Sequence, residues 1–162
     1  MKINKTPMPR SKLYTNFRMY PMIIKGLLSR ATQKEDGFTN FADKISKCFD
    51  LDSKFIIPCA MGRVGIYLVL QHFITRDKKE VILSPYTISD VVNMVISAGG
   101  IPVFCDTERE TCNIDVSKIE DLINTNTAAV MVTHFYGLAC DVNSAKDICD
   151  RYHLPLLEDA AQ

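Results

Sequence analysis

The chain of 162 residues is 47% hydrophobic and carries 19 Lys and Arg against 19 Asp and Glu, which suits one globular domain with a real core and excludes the disordered and collagen-like classes. The zero net charge is unevenly spread: the first 34 residues hold eight cations (Lys2, Lys5, Arg10, Lys12, Arg18, Lys25, Arg30 and Lys34) and no acid, so the remainder is net acidic. Residues 1–36 therefore read as a basic N-terminal arm and 37–162 as the folded body.

The arm interleaves its cations with Tyr14, Phe17, Tyr20 and Met22, which favours docking on a partner subunit over a nucleic-acid or anionic-membrane patch. Its longest apolar stretch, Met22 to Ile24, is too short for a signal-peptide core or a membrane span, so a cytoplasmic protein is expected. Six cysteines (Cys48, Cys59, Cys105, Cys112, Cys140, Cys149) form no CxxC pair, and Cys59 and Cys105 lie in or beside apolar strand candidates. Reduced, buried thiols are expected, and neither disulfides nor zinc.

From Gly37 onward short β-branched runs alternate with longer helical segments, the pattern of parallel βαβ units. The spacing predicts a helix over Phe38–Phe49, a strand at Phe55–Ile57 and a helix from Gly62 to Ile74, apolar almost all round and so buried. A strand at Val81–Leu83 and a helix over Ile88–Ala98, stopped by Gly99-Gly100, come next. Ile101–Cys105 reads as a strand with Asp106 at its exit, and Asp115 caps a short helix through Ile123. Ala128–Val132 is a strand, Asp141 caps a helix through Tyr152, and Leu154–Leu157 is the last strand. Five strands alternating with four helices, apolar without strict alternation, predict a three-layer α/β fold: a mostly parallel sheet with helices on both faces.

In such a sheet ligands bind outside the carboxyl ends of the strands, so the exits PCAMGRVG, SPYT, CDTE, THFYG and EDAAQ carry the chemistry. The helix opening at Gly62 would aim unpaired N–H groups into the crevice, a site suited to phosphate, with Gly62 permitting close approach and Arg63 adding charge. Gly62 and Gly65 could equally serve tight helix-to-sheet packing. Neither GxxxxGK[ST] nor GxGxxG occurs, so a P-loop NTPase and a standard dinucleotide fold lack their main residues. At the last exit, an acid of the Glu158-Asp159 pair either caps the next helix or faces a heterocyclic nitrogen that it would keep protonated.

In order and spacing, the Gly62 turn, EVILSPYTISDVVNMVISAGGIPVFCDTE, DVSKIEDLI, AAVMVTHFYG and LPLLEDAAQ resemble the N-terminal part of the DegT/DnrJ/EryC1/StrS aminotransferases over about Phe55 to Gln162. These are fold-type I enzymes dependent on pyridoxal 5'-phosphate (PLP), chiefly nucleotide-sugar aminotransferases. The resemblance implies that residues 37–162 are the N-terminal part of the PLP-binding large domain. Asp159 matches the acid that pairs with the pyridine nitrogen, and Gln162 the side chain that reaches the ring hydroxyl. Gly62 and Arg63 fall on the Gly-Thr step that holds the phosphate, and Ile88 falls where an aromatic ring usually stacks on the cofactor. Arg63 and Ile88 depart from the family pattern, and the aliphatic Ile88 forfeits the geometry-specific part of a ring contact. Tyr86 could replace it only through a shifted loop. His134 matches the HxYG histidine, either a cofactor contact or a polar residue satisfied at a strand end.

Aminotransfer by this chemistry needs a lysine, which the resemblance places downstream of EDAAQ. None of Lys78, Lys79, Lys118 or Lys146 stands at an exit facing the crevice. The expectation is the N-terminal portion of a homodimeric enzyme that passes an amino group from an amino acid to a keto-sugar nucleotide, with this chain alone inactive and without catalytic residues of its own. Leu154–Leu157 would also be left as a sheet edge, open to mispairing. A non-catalytic PLP-fold protein acting in assembly or regulation, and a nucleotide-binding doubly wound domain of other chemistry, are the competing readings.

Overall fold

The computed structural model describes residues 17, 19–29 and 36–161. The chain divides into two compact units, Met1–Pro58 and Cys59–Gln162. In the first, α1 spans Tyr20–Ser29 and α2 spans Asp36–Phe49. The arm cations other than Lys25 lie outside the described residues.

The strand expected at Phe55–Ile57 does not form. Ser53–Phe55 is a 3-10 turn capped by Asp52, whose side chain accepts the Lys54 N–H at 3.0 Å, and Ile56 is extended with its own N–H turned back to Ser53 O. The hydrogen bonds with Lys54 hold the Asp52 carboxyl below its usual range. A β-branched pair gains from a strand only when a neighbour completes the ladder, and the turn takes the donor such a ladder would use.

The second unit contains a four-stranded parallel sheet in the order β2-β1-β3-β4, with β1 at Glu80–Leu83, β2 at Ile101–Phe104, β3 at Thr127–Thr133 and β4 at Leu156–Asp159. Around it lie α3 (Gly62–Phe73), α4 (Ser89–Ser97), the short α5 (Ile119–Leu122) and α6 (Val142–Arg151). Alternation sorts the strands' side chains. Val81, Leu83, Ala129 and Met131 meet Leu70 of α3 and Val91 and Val95 of α4, whereas Ile82, Val130 and Val132 meet Ile119, Ala145, Ile148 and Cys149 of α5 and α6. The sheet is therefore the middle of three layers, and β3, covered on both faces, is buried at every residue. The chain steps from β1 to β2 over one face and returns through β3 to β4 over the other. Reversing direction and face together keeps one crossover hand.

Each departure from the predicted boundaries has a local cause. The α4 stop is a Schellman turn, Gly100 N–H to Val95 O and Gly99 at φ +87°, and a Cβ on Gly100 would meet Ile74 Cδ1 at 2.7 Å. Asp115 caps a 3-10 turn, Val116–Lys118, before α5 rather than one continuous helix. Of α3 only Leu70 is fully buried, and Leu68 and Val69 are exposed, so the helix packs on one side rather than all round. The last strand is shifted by two residues, because its ladder with β3 runs from Val130–Leu156 to Thr133–Asp159. Glu158 and Asp159 thereby belong to the strand itself. Among the described strands β4 pairs with β3 alone and is an edge.

None of the six cysteines is joined in a disulfide. Cys105, Cys140 and Cys149 are buried, and burial pushes each thiol up to about 11; Cys48 and Cys59 are exposed, against the expectation for Cys59. At pH 8 a thiol of that acidity is ionised in only about one molecule in a thousand. Titration of the folded chain with a disulfide reagent at pH 8 should label Cys48 and Cys59 rapidly, and Cys105, Cys140 and Cys149 only on unfolding. Rapid labelling of the latter three in the folded state would refute their burial.

Candidate functional site

The strand order reverses between β1 and β3, and the carboxyl ends of the strands there are where a doubly wound sheet opens a crevice. A cavity of about 320 Å³ lies beside it, walled by Gly62, Gly65, Ile66 and Val69 of α3, Met131 of β3, and Leu157, Glu158 and Asp159 of β4. Its volume is in the range of small-molecule sites. A shallower depression of about 560 Å³ on the α6 side is lined by Glu108, Asp115, Asp141 and Asp147 with Arg151. That charge disfavours an anionic ligand.

Gly62 and Asp159 thus share one cavity, although 97 positions separate them in the sequence (159 − 62). Alternation puts Asp159 on the same face of β4 as Leu157, which packs toward α3. Its Oδ1 accepts the Ala161 N–H at 3.2 Å, so it also holds the turn that follows, part of the capping role weighed for it. Met61 precedes α3 in an extended conformation and supplies no side-chain cap, leaving the first amides of the helix to another acceptor. A Cβ on Gly62 would meet nothing within 4 Å, and one on Gly65 only Cys59 Sγ at an ordinary 3.6 Å. Tight packing within the protein therefore does not require either glycine. The space in front of Gly62 is open among the described residues.

Arg63 and Ile88 do not line the cavity. The Arg63 guanidinium is paired with the Asp90 carboxylate, both half-exposed, which ties the start of α3 to the start of α4. Ile88 is the exposed, extended residue that precedes α4. Gln162 lies outside the described residues. In the loop between β1 and α4, Ser84 Oγ accepts the Tyr86 N–H at 3.1 Å, and Thr87 Oγ1 is buried without a partner among the described residues.

His134 fastens the two acids of β4. Its backbone N–H donates to Asp159 O at 3.1 Å, its Nδ1 accepts the Cys140 N–H at 3.0 Å, and its Nε2 lies 2.7 Å from Glu158 Oε1. Because Nδ1 is an acceptor, the neutral ring carries its proton on Nε2 and donates it to Glu158. The ring is thus satisfied at the strand end. The exit acid Asp106 is held by Lys118 at 2.6 Å, which keeps its carboxyl below the usual range, and Lys118 also reaches Asp115 at 3.5 Å. Lys146 is paired with Asp150 on α6, and neither lysine lines the cavity.

The cavity is lined by apolar side chains together with the N-terminal turn of α3 and the acids Glu158 and Asp159. Residues 28–162 match the DegT/DnrJ/EryC1/StrS aminotransferase family. The chain belongs to that family. The GDP-perosamine synthase of Vibrio cholerae is 37% identical over 112 residues, 69% of this chain and 30% of that protein. The enzyme of the same name from Caulobacter vibrioides is 34% identical over 109 residues, 67% of this chain and 29% of its own length. Among solved structures, ntda from Bacillus subtilis with bound cofactor PMP covers 100% of this chain and 38% of that one, at 27% identity and a TM-score of 0.83. An aminotransferase from Psychrobacter cryohalolentis gives the same TM-score at 24% identity, over 95% of this chain and 39% of that one, and shares the fold. The chain spans about 30% of the length of the curated family members it matches.

The walls Met131 and Leu157 carried no signal as site residues in the sequence. They became legible only with the register of β3 and β4 and with the α3 side of the sheet known.

Proposed function

We propose that residues 37–162 are the N-terminal part of the cofactor-holding large domain of a PLP-dependent nucleotide-sugar aminotransferase, whose amino donor is an amino acid and whose acceptor is a keto-sugar nucleotide. The observation that carries this is the meeting of the Gly62 turn and Asp159 in one cavity of about 320 Å³. Bound pyridoxal phosphate supplies an electron sink for a carbanion next to the transferred nitrogen. The chain's own part is to bind and orient. The α3 amides at Gly62 and Arg63 take the phosphate, and Asp159 keeps the ring nitrogen protonated. Ile66, Val69, Met131 and Leu157 exclude water from the ring edge, and Gln162 reaches the ring hydroxyl. Arg63 acts through its backbone amide, since its guanidinium belongs to Asp90. An aliphatic side chain at Ile88 offers a ring less grip than an aromatic one.

No lysine lines the cavity among the described residues; on this reading the chain binds without turning over on its own, and the intact enzyme is a cytoplasmic homodimer in which the basic arm reaches the partner subunit. None of the described helices is long and apolar enough to cross a membrane. Pyridoxamine phosphate tests the reading, because it lacks the aldehyde that would condense with surface lysines. In calorimetric titration the chain should bind it about tenfold or more tightly than pyridoxamine, as charge-assisted bonds to the phosphate require. Equal affinity would remove the phosphate cradle, and absence of binding to both would remove the cofactor assignment.

A further inference from the structure

Arg63 is a cation at the wrong end of its helix. It is the second residue of α3, where the positive end of the dipole disfavours a positive side chain. Helix stability therefore gives no reason for it. Its position suits an anion instead, because Cα–Cβ bonds tilt toward the helix N-terminus, so a long side chain from the first turn projects to the end where Met61 supplies no side-chain cap. The fork of N–H donors on a guanidinium matches phosphate. Among the described residues no cation lines the adjoining cavity, and two acids, Glu158 and Asp159, do.

The guanidinium is nevertheless taken. Its partner is the Asp90 carboxylate, in the first turn of α4. Asp90 is well placed there on its own account: Ile88 gives α4 no side-chain cap, and a negative charge in the first turn offsets the dipole. The two side chains are 47% and 42% exposed, and a pair so open to water biases an equilibrium by about fivefold or less. It holds the arginine, but loosely enough for an anion to compete.

We infer that Asp90 determines the affinity of the α3 end of the cavity for a phosphate group, by engaging Arg63 and withholding its guanidinium from the ligand. The inference rests on the cofactor reading above and names what regulates that site. With Arg63 engaged, the phosphate meets backbone amides alone; without Asp90 it meets the guanidinium as well. A pair that only strapped α3 to α4 would behave differently, since losing either partner would then loosen the turn and weaken binding alike. The sign of the effect at Asp90 separates the two.

Calorimetric titration with pyridoxamine phosphate, pyridoxamine and inorganic phosphate tests it. Asp90→Ala should bind pyridoxamine phosphate about three- to tenfold more tightly than the wild-type chain, as a charge-assisted bond gained at an exposed site implies. Asp90→Asn, which keeps a polar group at the start of α4, should gain likewise, and Asp90→Glu, which keeps the charge for Arg63, should stay near the wild-type value. Adding Arg63→Ala to Asp90→Ala should abolish the gain, and pyridoxamine affinity should be the same throughout. Unchanged or weaker phosphate binding in both Asp90→Ala and Asp90→Asn overturns the inference. So does a gain that persists in the double variant, which would make it the loss of a negative charge and not the release of Arg63. If the wild-type chain prefers pyridoxamine phosphate to pyridoxamine and neither Asp90 variant enlarges that preference, the inference fails alone. If the wild-type chain shows no such preference, yet inorganic phosphate tightens in Asp90→Ala and not in the double variant, the cofactor reading fails alone.

Discussion

Asp159→Ala should weaken the binding of pyridoxamine phosphate about 10- to 100-fold, the range lost when a charge-assisted hydrogen bond is removed. The fold should survive the change, since among the described residues the carboxylate accepts a single bond, from the Ala161 N–H. Asp159→Asn is the sharper variant. It keeps the side chain's volume and a polar group facing the ring but removes the negative charge that makes protonation of the ring nitrogen favourable. With ¹⁵N-labelled ligand at pH 8, the wild-type complex should show a pyridinium shift and the Asp159→Asn complex a neutral pyridine shift. A protonated ring in both, or undiminished affinity in Asp159→Ala, would mean that some other group faces the nitrogen.

Gly62 and Asp159, which meet in one cavity, each stand out in the sequence for a different reason. Gly62 stands where an apolar strand-like run gives way to a helix, and a glycine at such a turn has few purposes. Asp159 follows apolar residues at the close of a strand, where a carboxylate is costly unless it is used. The pairing of the Arg63 guanidinium with Asp90 has no signal in the sequence, because the two residues meet only when α3 and α4 lie side by side. The central strands were readable because burial on both faces demands unbroken apolar runs. Phe55–Ile57 was misread because an apolar triplet has the composition of a strand whether or not a neighbour exists to pair with it. The two-residue shift of β4 is of the same kind, set by the ladder to β3 and not by the apolarity of Leu154. Asn113, whose buried side chain bonds the Phe135 N–H and the Leu138 carbonyl, gave no signal, because those two backbone groups lie more than twenty positions away.

Coupling between core and site leads to the largest expected effect on stability. Leu70 is 0% exposed and is the one fully buried residue of α3, set against Val81, Leu83, Val91, Val95, Ala129 and Met131. Leu70→Ala should cost about 2–5 kcal/mol, a large share of the roughly 5–15 kcal/mol that holds a domain folded, and should lower the urea midpoint accordingly. Ile119→Ala removes an equally buried aliphatic side chain from the opposite face of the sheet and should cost a similar amount. The two should differ in the site. Leu70 anchors the helix that carries Gly62, Gly65, Ile66 and Val69 into the cavity, whereas α5 contributes nothing to its walls. Pyridoxamine phosphate binding, measured in buffer where both variants remain folded, should therefore weaken in Leu70→Ala and stay near the wild-type value in Ile119→Ala. Equal losses in the two would show that affinity follows global stability, and would detach the phosphate end of the site from α3.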